Sequence, residues 1–301
     1  MLSSRRIFIK DTTLALLGTT LIGDRSWPAA KGILTGVQLY SVRDDMKKDP
    51  LATLDQLSKS GYKYVEHANY VERKFYGFPA AEFRKILDSR GLKMPSGHTA
   101  LKKEHWDDAK KDFTDAWKYT VEDAAIMGQS FVISPSLEES LRKNEDELKR
   151  FLDVFNKSGE LCKRSGMKFG YHNHDFEFSE RFNGVLMHDI ILQNTDRELV
   201  IHQLDIGNMY NGGATPIEVL KKWPGRFQSM HVKDEIIAQS GNEKYESTIL
   251  GTGIVPVKEV IDLAKKSGGT IHFIVEQEAY QGKAPLEAVG EDLKVMKKWG
   301  Y

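Results

Sequence analysis

From residue 33 onward the hydrophobic pattern changes texture every ten to thirty residues. Short runs rich in β-branched and aromatic side chains alternate with longer, charged stretches of helical period. That alternation is the signature of βα units around a parallel sheet. It predicts strands at Leu34–Tyr40, Tyr62–Glu66, Lys93–His98, Phe131–Ser134, Lys168–Asn173, Leu199–Asp205, Gln228–Lys233 and Thr270–Glu276. Helices are expected near 51–60, 79–90, 105–127, 145–165, 184–193, 215–222, 256–267 and 286–299. Gly61, Gly91, Gly128, Gly166 and Gly268 follow helical stretches, where a left-handed cap favours glycine. Pro50, Pro79, Pro216, Pro256 and Pro285 sit near helix starts, where the missing N–H is harmless. Eight strands, each followed by a helix, predict an α/β chain folded as one closed (β/α)₈ TIM barrel. An open doubly wound sheet would place a glycine-rich phosphate loop after the first strand, and Gly36 to Arg43 holds none.

The first thirty residues read differently. Ser4-Arg5-Arg6-Ile7-Phe8-Ile9-Lys10 is followed by an apolar run from Leu14 to Ile22 and by Ala29-Ala30. A charged start, a short greasy middle and small residues at the end predict an export signal over 1–30. Its paired arginines resemble the twin-arginine type, so the barrel at 31–301 is expected in the periplasm or another extracytoplasmic space of a bacterium. The apolar run falls short of the roughly 20 residues that span a bilayer, and no membrane span is expected in the mature chain. About 270 residues remain, enough to bury a large core without disulfides. Cys162 is the only cysteine and reads as a buried structural thiol.

Charge removes one class of partner. The chain carries 43 basic and 43 acidic side chains; four basic and two acidic ones lie in the first thirty residues, which leaves 39 against 41. A near-neutral domain lacks the positive excess that nucleic acid requires. The longest irregular stretch, Asp234 to Ile254, would follow the seventh strand, and a loop this long inside a compact domain is usually functional.

In such a barrel the chemistry lies at the C-terminal strand ends. Read in order, these hold Gln38 and Tyr40, Glu66-His67, His98, Ser134, His172-Asn173-His174, Asp205 with Asn208, His231 with Lys233 and Asp234, and Glu276 with Glu278. Of nine histidines, positions 67, 98, 172, 174 and 231 cluster at that end, with His272 at a strand start. Taken singly, each is an ordinary residue: a lone histidine is usually a hydrogen-bonded core group, Asp205 could cap a turn, and Glu276 could pair with Lys233 on the rim. Taken together, a carboxylate, a histidine and a carboxylate end three successive strands and point to one axis. Like charges converging there repel unless a cation neutralises them. Mixed nitrogen and oxygen ligands suit one divalent ion, Mn, Zn, Fe or Mg.

These motifs carry a family resemblance from about Gly36 to the C-terminus. Gly170-Tyr171-His172-Asn173-His174-Asp175-Phe176-Glu177-Phe178, Leu204-Asp205-Ile206-Gly207-Asn208, Met230-His231-Val232-Lys233-Asp234, Leu250-Gly251-Thr252-Gly253 and Val275-Glu276-Gln277-Glu278 make the chain similar to the xylose-isomerase-like barrels. That group holds sugar isomerases, ketose 3-epimerases, inosose dehydratases and endonuclease IV. The resemblance implies a metal held by a glutamate, an aspartate, a histidine and a second glutamate from strands five to eight, and Asp205, His231 and Glu276 match the last three. The first departs: where epimerases read Glu-Asn-His, this chain reads His172-Asn173-His174. Either His172 takes the glutamate's place or Glu177 reaches back from the following turn.

The resemblance further implies proton removal beside the carbonyl of a sugar or keto-sugar, through an enediolate. A metal-dependent isomerase or epimerase is the first expectation. A β-eliminating lyase or dehydratase acting on a keto-sugar, keto-cyclitol or 3-keto-glycoside is the second, and a sugar-binding barrel without chemistry the third. Glu276 or His174 is expected as the base, and Lys233 as the group that meets developing negative charge. Glu66, His98 and Glu177 are expected to bind substrate.

Overall fold

A computed structural model describes residues 33–239 and 244–301. The expected export signal at 1–30 and the Ser240-Gly241-Asn242 part of the long loop lie outside the described residues. Eight parallel strands close into a barrel: β1 Leu34–Gln38, β2 Tyr64–His67, β3 Lys93–His98, β4 Phe131–Ser134, β5 Lys168–His172, β6 Val200–Asp205, β7 Ser229–Val232 and β8 His272–Val275. Closure is visible at Gly36, which pairs with Tyr64 of β2 on one side and Ile274 of β8 on the other. A Cβ on Gly36 would lie 3.0 Å from both Tyr64 O and Ile274 Cδ1, so the bare α-carbon lets the neighbouring strands approach.

Eight main helices cover the outside: α1 Pro50–Ser60, α2 Ala80–Asp88, α3 Asp115–Met127, α4 Glu145–Arg164, α5 Met187–Gln193, α6 Pro216–Lys222, α7 Val257–Leu263 and α8 Pro285–Trp299. Their ends follow local chemistry. Asp49 accepts from Ala52 N ahead of Pro50, and Asn144 accepts from Asp146 N and Glu147 N at the start of α4, which satisfies otherwise orphaned donors.

Strand alternation divides the side chains into two sets. Outward residues such as Phe169, Tyr171, Leu204 and Val275 pack under the helices in continuous apolar clusters. Inward residues fill the barrel itself. Its lower interior is plugged by Phe131, Ile133 and Ile201, each buried at roughly 1.5–3 kcal/mol of transfer free energy. Above that plug the inward positions become polar, and the site begins there. Cys162 is buried, and burial pushes its thiol up to about 12, as expected of an inert core thiol.

Two expectations are corrected. Residues 106–114 are not helical: Trp106–Asp107 pairs with Asp112–Phe113 in a hairpin. Asp107 Oδ1 takes the N–H groups of Ala109 and Lys110, and Lys111 adopts φ 52°. The local turn thus captures donors that a helix would need. The stretch after β7 is not irregular either. Asp234–Ile237 pairs antiparallel with Tyr245–Thr248, forming a ribbon over the barrel mouth. Among the described residues no helix is long and apolar enough to cross a membrane.

Candidate active site

The polar interior forms two layers. The lower one centres on Glu66 of β2, which is wholly buried. Its Oε1 accepts from Gln38 Nε2 at 2.8 Å, and Ser96 Oγ donates to its Oε2. Gln203 Nε2 donates to Oε2 at 3.0 Å, and His231 Nε2 lies 2.6 Å from Oε1. His98 Nε2 stands 3.2 Å from the same oxygen. Burial alone would raise this carboxyl, but the charges of His98 and His231 hold it well below the usual range. Every lone pair facing the protein is occupied, so Glu66 is a closed node. Glu66 does not line the cleft above it.

The upper layer is open. Asp205 ends β6 and caps the short helix Ile206–Asn211: its Oδ1 accepts from Asn208 N at 2.7 Å. Asn173 fixes the Asp205 backbone, its Oδ1 accepting from Asp205 N at 3.0 Å and its Nδ2 donating to Asp205 O at 3.1 Å. The other oxygen, Oδ2, is buried without a hydrogen-bond partner. It faces His231 Nδ1 at 3.7 Å and His172 Nε2 at 3.9 Å. His231 Nδ1 lies 2.9 Å from Glu276 Oε2. Ligand atoms of Asp205, His231 and Glu276 all fall within 4.8 Å of one another.

His231 therefore has a divided imidazole. Nε2 is engaged by Glu66 and Nδ1 is turned towards the carboxylates, the arrangement in which a carboxylate fixes the tautomer of a metal-ligating histidine. His172 is divided likewise, with Nδ1 3.0 Å from Gln203 Oε1 and Nε2 directed at Asp205. Burial, then the neighbouring His231 and His98, keeps the His172 imidazole well below its ordinary value and so neutral. A buried carboxylate oxygen that makes no hydrogen bond and is offset only by the Lys233 ammonium, beside a second carboxylate and two imidazole nitrogens, fits a divalent cation. His172, Asp205, His231 and Glu276 are the residues that could hold it. A second set of imidazoles, His98, His172 and His231, also converges within 4.8 Å. His98 Nε2, however, is 2.6 Å from Gln203 Oε1 and so already engaged.

Lys233, just past β7, is buried with its Nζ 3.1 Å from Asp205 Oδ2, 3.0 Å from Glu276 Oε2 and 2.8 Å from Glu278 Oε1. Even counting His98 and His231 beside Lys233, the four carboxylates Asp205, Glu276, Glu278 and Glu66 outnumber the basic groups around them, an excess that suits a cation. Burial would raise Glu276, yet the charges of Lys233 and His231 hold it well below the usual carboxylate range. His174 has the opposite character. Its Nδ1 is buried without a partner, and burial keeps the imidazole below its ordinary value despite the nearby Asp205 charge.

Glu177 is not among the side chains that converge with Asp205, His231 and Glu276. It is fully buried on the outer side of the barrel wall, where Tyr171 Oη donates to Oε1 and His174 N donates to Oε2 at 2.8 Å. It shapes the turn carrying His174. His67 also points outward, edge-on to Phe75 at 4.8 Å. The sequence did not single out Gln203 or Glu235 for these positions. Strand parity could have found Gln203, two residues before Asp205 on the same face.

The upper layer opens into a cleft of about 1470 Å³. His98, His172, His174, Lys233 and Glu276 line its floor, and Tyr70, Arg73 and Tyr119 line its outer wall. The family model described as xylose isomerase-like TIM barrel matches residues 54–299. An inosose dehydratase of Clostridium botulinum is 26% identical over 252 residues, covering 78% of this chain and 80% of that one. A sugar phosphate isomerase/epimerase from Parabacteroides distasonis is 27% identical, with a TM-score of 0.74 over 90% of this chain and 95% of that one. The IolI protein, in a structure with a binding zinc atom, shares the fold at 16% identity and a TM-score of 0.70, over 89% of this chain and 98% of that one.

Proposed function

Given that the chain belongs to the xylose isomerase-like TIM barrel family, we propose that it is a divalent-metal-dependent lyase acting on a polyhydroxylated keto ring, a keto-cyclitol or keto-sugar. The reaction removes the proton beside the carbonyl and expels the oxygen substituent one carbon further on. One observation carries this reading: strand five presents His172, not a carboxylate, to Asp205. An epimerase of this family works with two opposed metal-bound glutamates, and here only Glu276 remains. Inosose dehydratases among the relatives point the same way. They favour elimination over the isomerisation or epimerisation that the sequence put first, a reading to which the Parabacteroides barrel still lends support.

His172, Asp205, His231 and Glu276 would hold the ion, and zinc, found in the IolI barrel, is the first to try. When bound, such an ion polarises the substrate carbonyl and lowers the cost of charge on its oxygen. His174 is the base, because its Nδ1 is unpartnered and the residue borders the cleft. Glu276 is less suited to that role, since Lys233 and His231 already hold its charge. Lys233 and His98, both at the cleft floor, meet substrate oxygens.

The test is incubation of the zinc- or manganese-loaded protein with an inosose and with a 3-keto-glucoside in heavy water. We expect loss of water or aglycone with formation of an unsaturated ketone. Deuterium exchange with epimer formation and no bond cleavage would overturn the reading in favour of an epimerase.

A further inference from the structure

One carboxyl group at the cleft takes no part in the chemistry so far. Glu235 follows Asp234 in the ribbon over the barrel mouth and lines the cleft together with Lys233, His174 and Glu276. It is only 2% exposed, and its Oε2 has no hydrogen-bond partner among the described residues. Its neighbour makes the contrast. Asp234 is also buried, but it accepts from the N–H groups of Glu235, Gly251, Gly253 and Val255. Asp234 is fully used by the fold; Glu235 is not.

Space has been left for this group. A Cβ on Gly207 would collide with Glu235 Oε1 and lie 2.5 Å from Lys233 Cδ. Any side chain at 207 would therefore displace the carboxyl and the lysine stem together. Burial, with Asp205, Glu278 and Asp234 adding to it against Lys233, pushes the carboxyl up to about 8. A buried carboxyl with no donor to stabilise its charge keeps its proton near neutral pH. It then offers one O–H with no acceptor among the described residues.

We propose that Glu235 donates the proton to the oxygen that leaves during elimination. The inference rests on the lyase reading. The His174 base follows β5 and the Glu235 acid follows β7, the strands on either side of β6, so a ring held at Asp205 would lie between them. The Cα–H bond breaks as His174 takes the proton, and its electron pair forms the new C=C bond. The β C–O bond breaks, its pair stays on oxygen, and the Glu235 O–H proton converts that oxygen into water or an alcohol. Glu235 ends as a carboxylate and His174 as an imidazolium, and one proton returned through solvent restores both. No oxidant or second reactant is needed.

The experiment compares wild type with Glu235→Gln and Glu235→Asp, zinc-loaded, in heavy water. Substrates are an inosose, methyl 3-keto-glucoside and 4-nitrophenyl 3-keto-glucoside. Removing a general acid lowers rate roughly 10²–10⁴-fold. We expect that loss for water and methanol release in Glu235→Gln, with α-proton exchange within a few-fold of wild type. Nitrophenolate needs no proton to depart, so its release should stay near the wild-type rate. Glu235→Asp, which keeps an acid drawn back by one methylene, should recover part of the methanol release. Equal loss of exchange and elimination, or unchanged water release, would overturn the assignment. A wild type that exchanges but never eliminates would defeat the lyase reading itself, and it is seen without any variant.

Discussion

Two carboxylates a few ångströms apart along the barrel axis have opposite surroundings. Glu66 is ringed by Gln38, Ser96, Gln203, His98 and His231. Asp205 keeps one oxygen for a helix cap and leaves the other with no hydrogen bond, offset only by the Lys233 ammonium at 3.1 Å. Both are fully buried, so exposure alone does not separate them. Completeness does. A saturated layer orients, and an unsaturated one receives a ligand, because a buried lone pair without a partner is costly unless something else fills it.

The sharpest way to break this contrast is Asp205→Asn, which keeps an oxygen for the cap and replaces the open one by a donor. We expect the melting temperature to change little, bound metal to be lost by elemental analysis, and turnover to fall at least roughly 10²–10³-fold, the scale of one preorganised electrostatic contact. Full metal content in that variant would mean the ion sits elsewhere. The lower layer should respond more mildly. Glu66→Gln leaves the ligands in place but loosens the orientation of His231, so zinc affinity measured by competition titration should drop roughly 10–100-fold. No change would make Glu66 a packing residue only.

How much of this could be read beforehand follows from the same distinction. The eight strands and most helices were legible because burial enforces period over long segments, as at Lys93–His98 and Glu145–Arg164. The hairpins at 106–113 and 234–248 were not, since strands of two to four residues carry too little period to outvote their turns. Asp205, His231 and Glu276 were legible because three chemistry-bearing residues end consecutive strands. Glu66 is inside the barrel, as strand parity predicts, but it lies below the cleft and is held by Gln38, Ser96, Gln203 and His231. Alternation tells which face a strand residue takes; it does not tell how deep that residue lies or which groups already bond to it. Glu235 was overlooked because strand parity breaks at Lys233-Asp234. Only the loop's need for Asp234, visible once Gly251 and Gly253 fold back on it, frees the next residue to face the cleft.

Asp292 of α8 offers the smallest and cleanest refinement. Its Oδ1 accepts from Leu250 N, and its Oδ2 is a buried orphan that does not border the cleft. Burial, with Glu291 and Asp234 nearby, pushes it up to about 7 from an ordinary 3.8. The folded state then holds a proton that the unfolded chain releases. Stability falls as pH rises between about 4 and 7 and is flat above that window. Asp292→Asn escapes this penalty, which is on the order of 2–4 kcal/mol. Its thermal midpoint should exceed wild type at pH 8 and match it at pH 4. Equal midpoints at both would mean that the carboxyl finds water or another partner. An orphan outside the cleft is thus a matter of stability; one inside it is a matter of chemistry.

The Asp234 carboxylate has a mechanical side as well. A single side chain gathers the chain at 235, 251, 253 and 255 into one knot. That side of the mouth cannot swing away without breaking all four ties together. Another lip is tied as well: the short ribbon from Tyr70 to Pro79 runs past Tyr119, with Arg73 paired to Asp123.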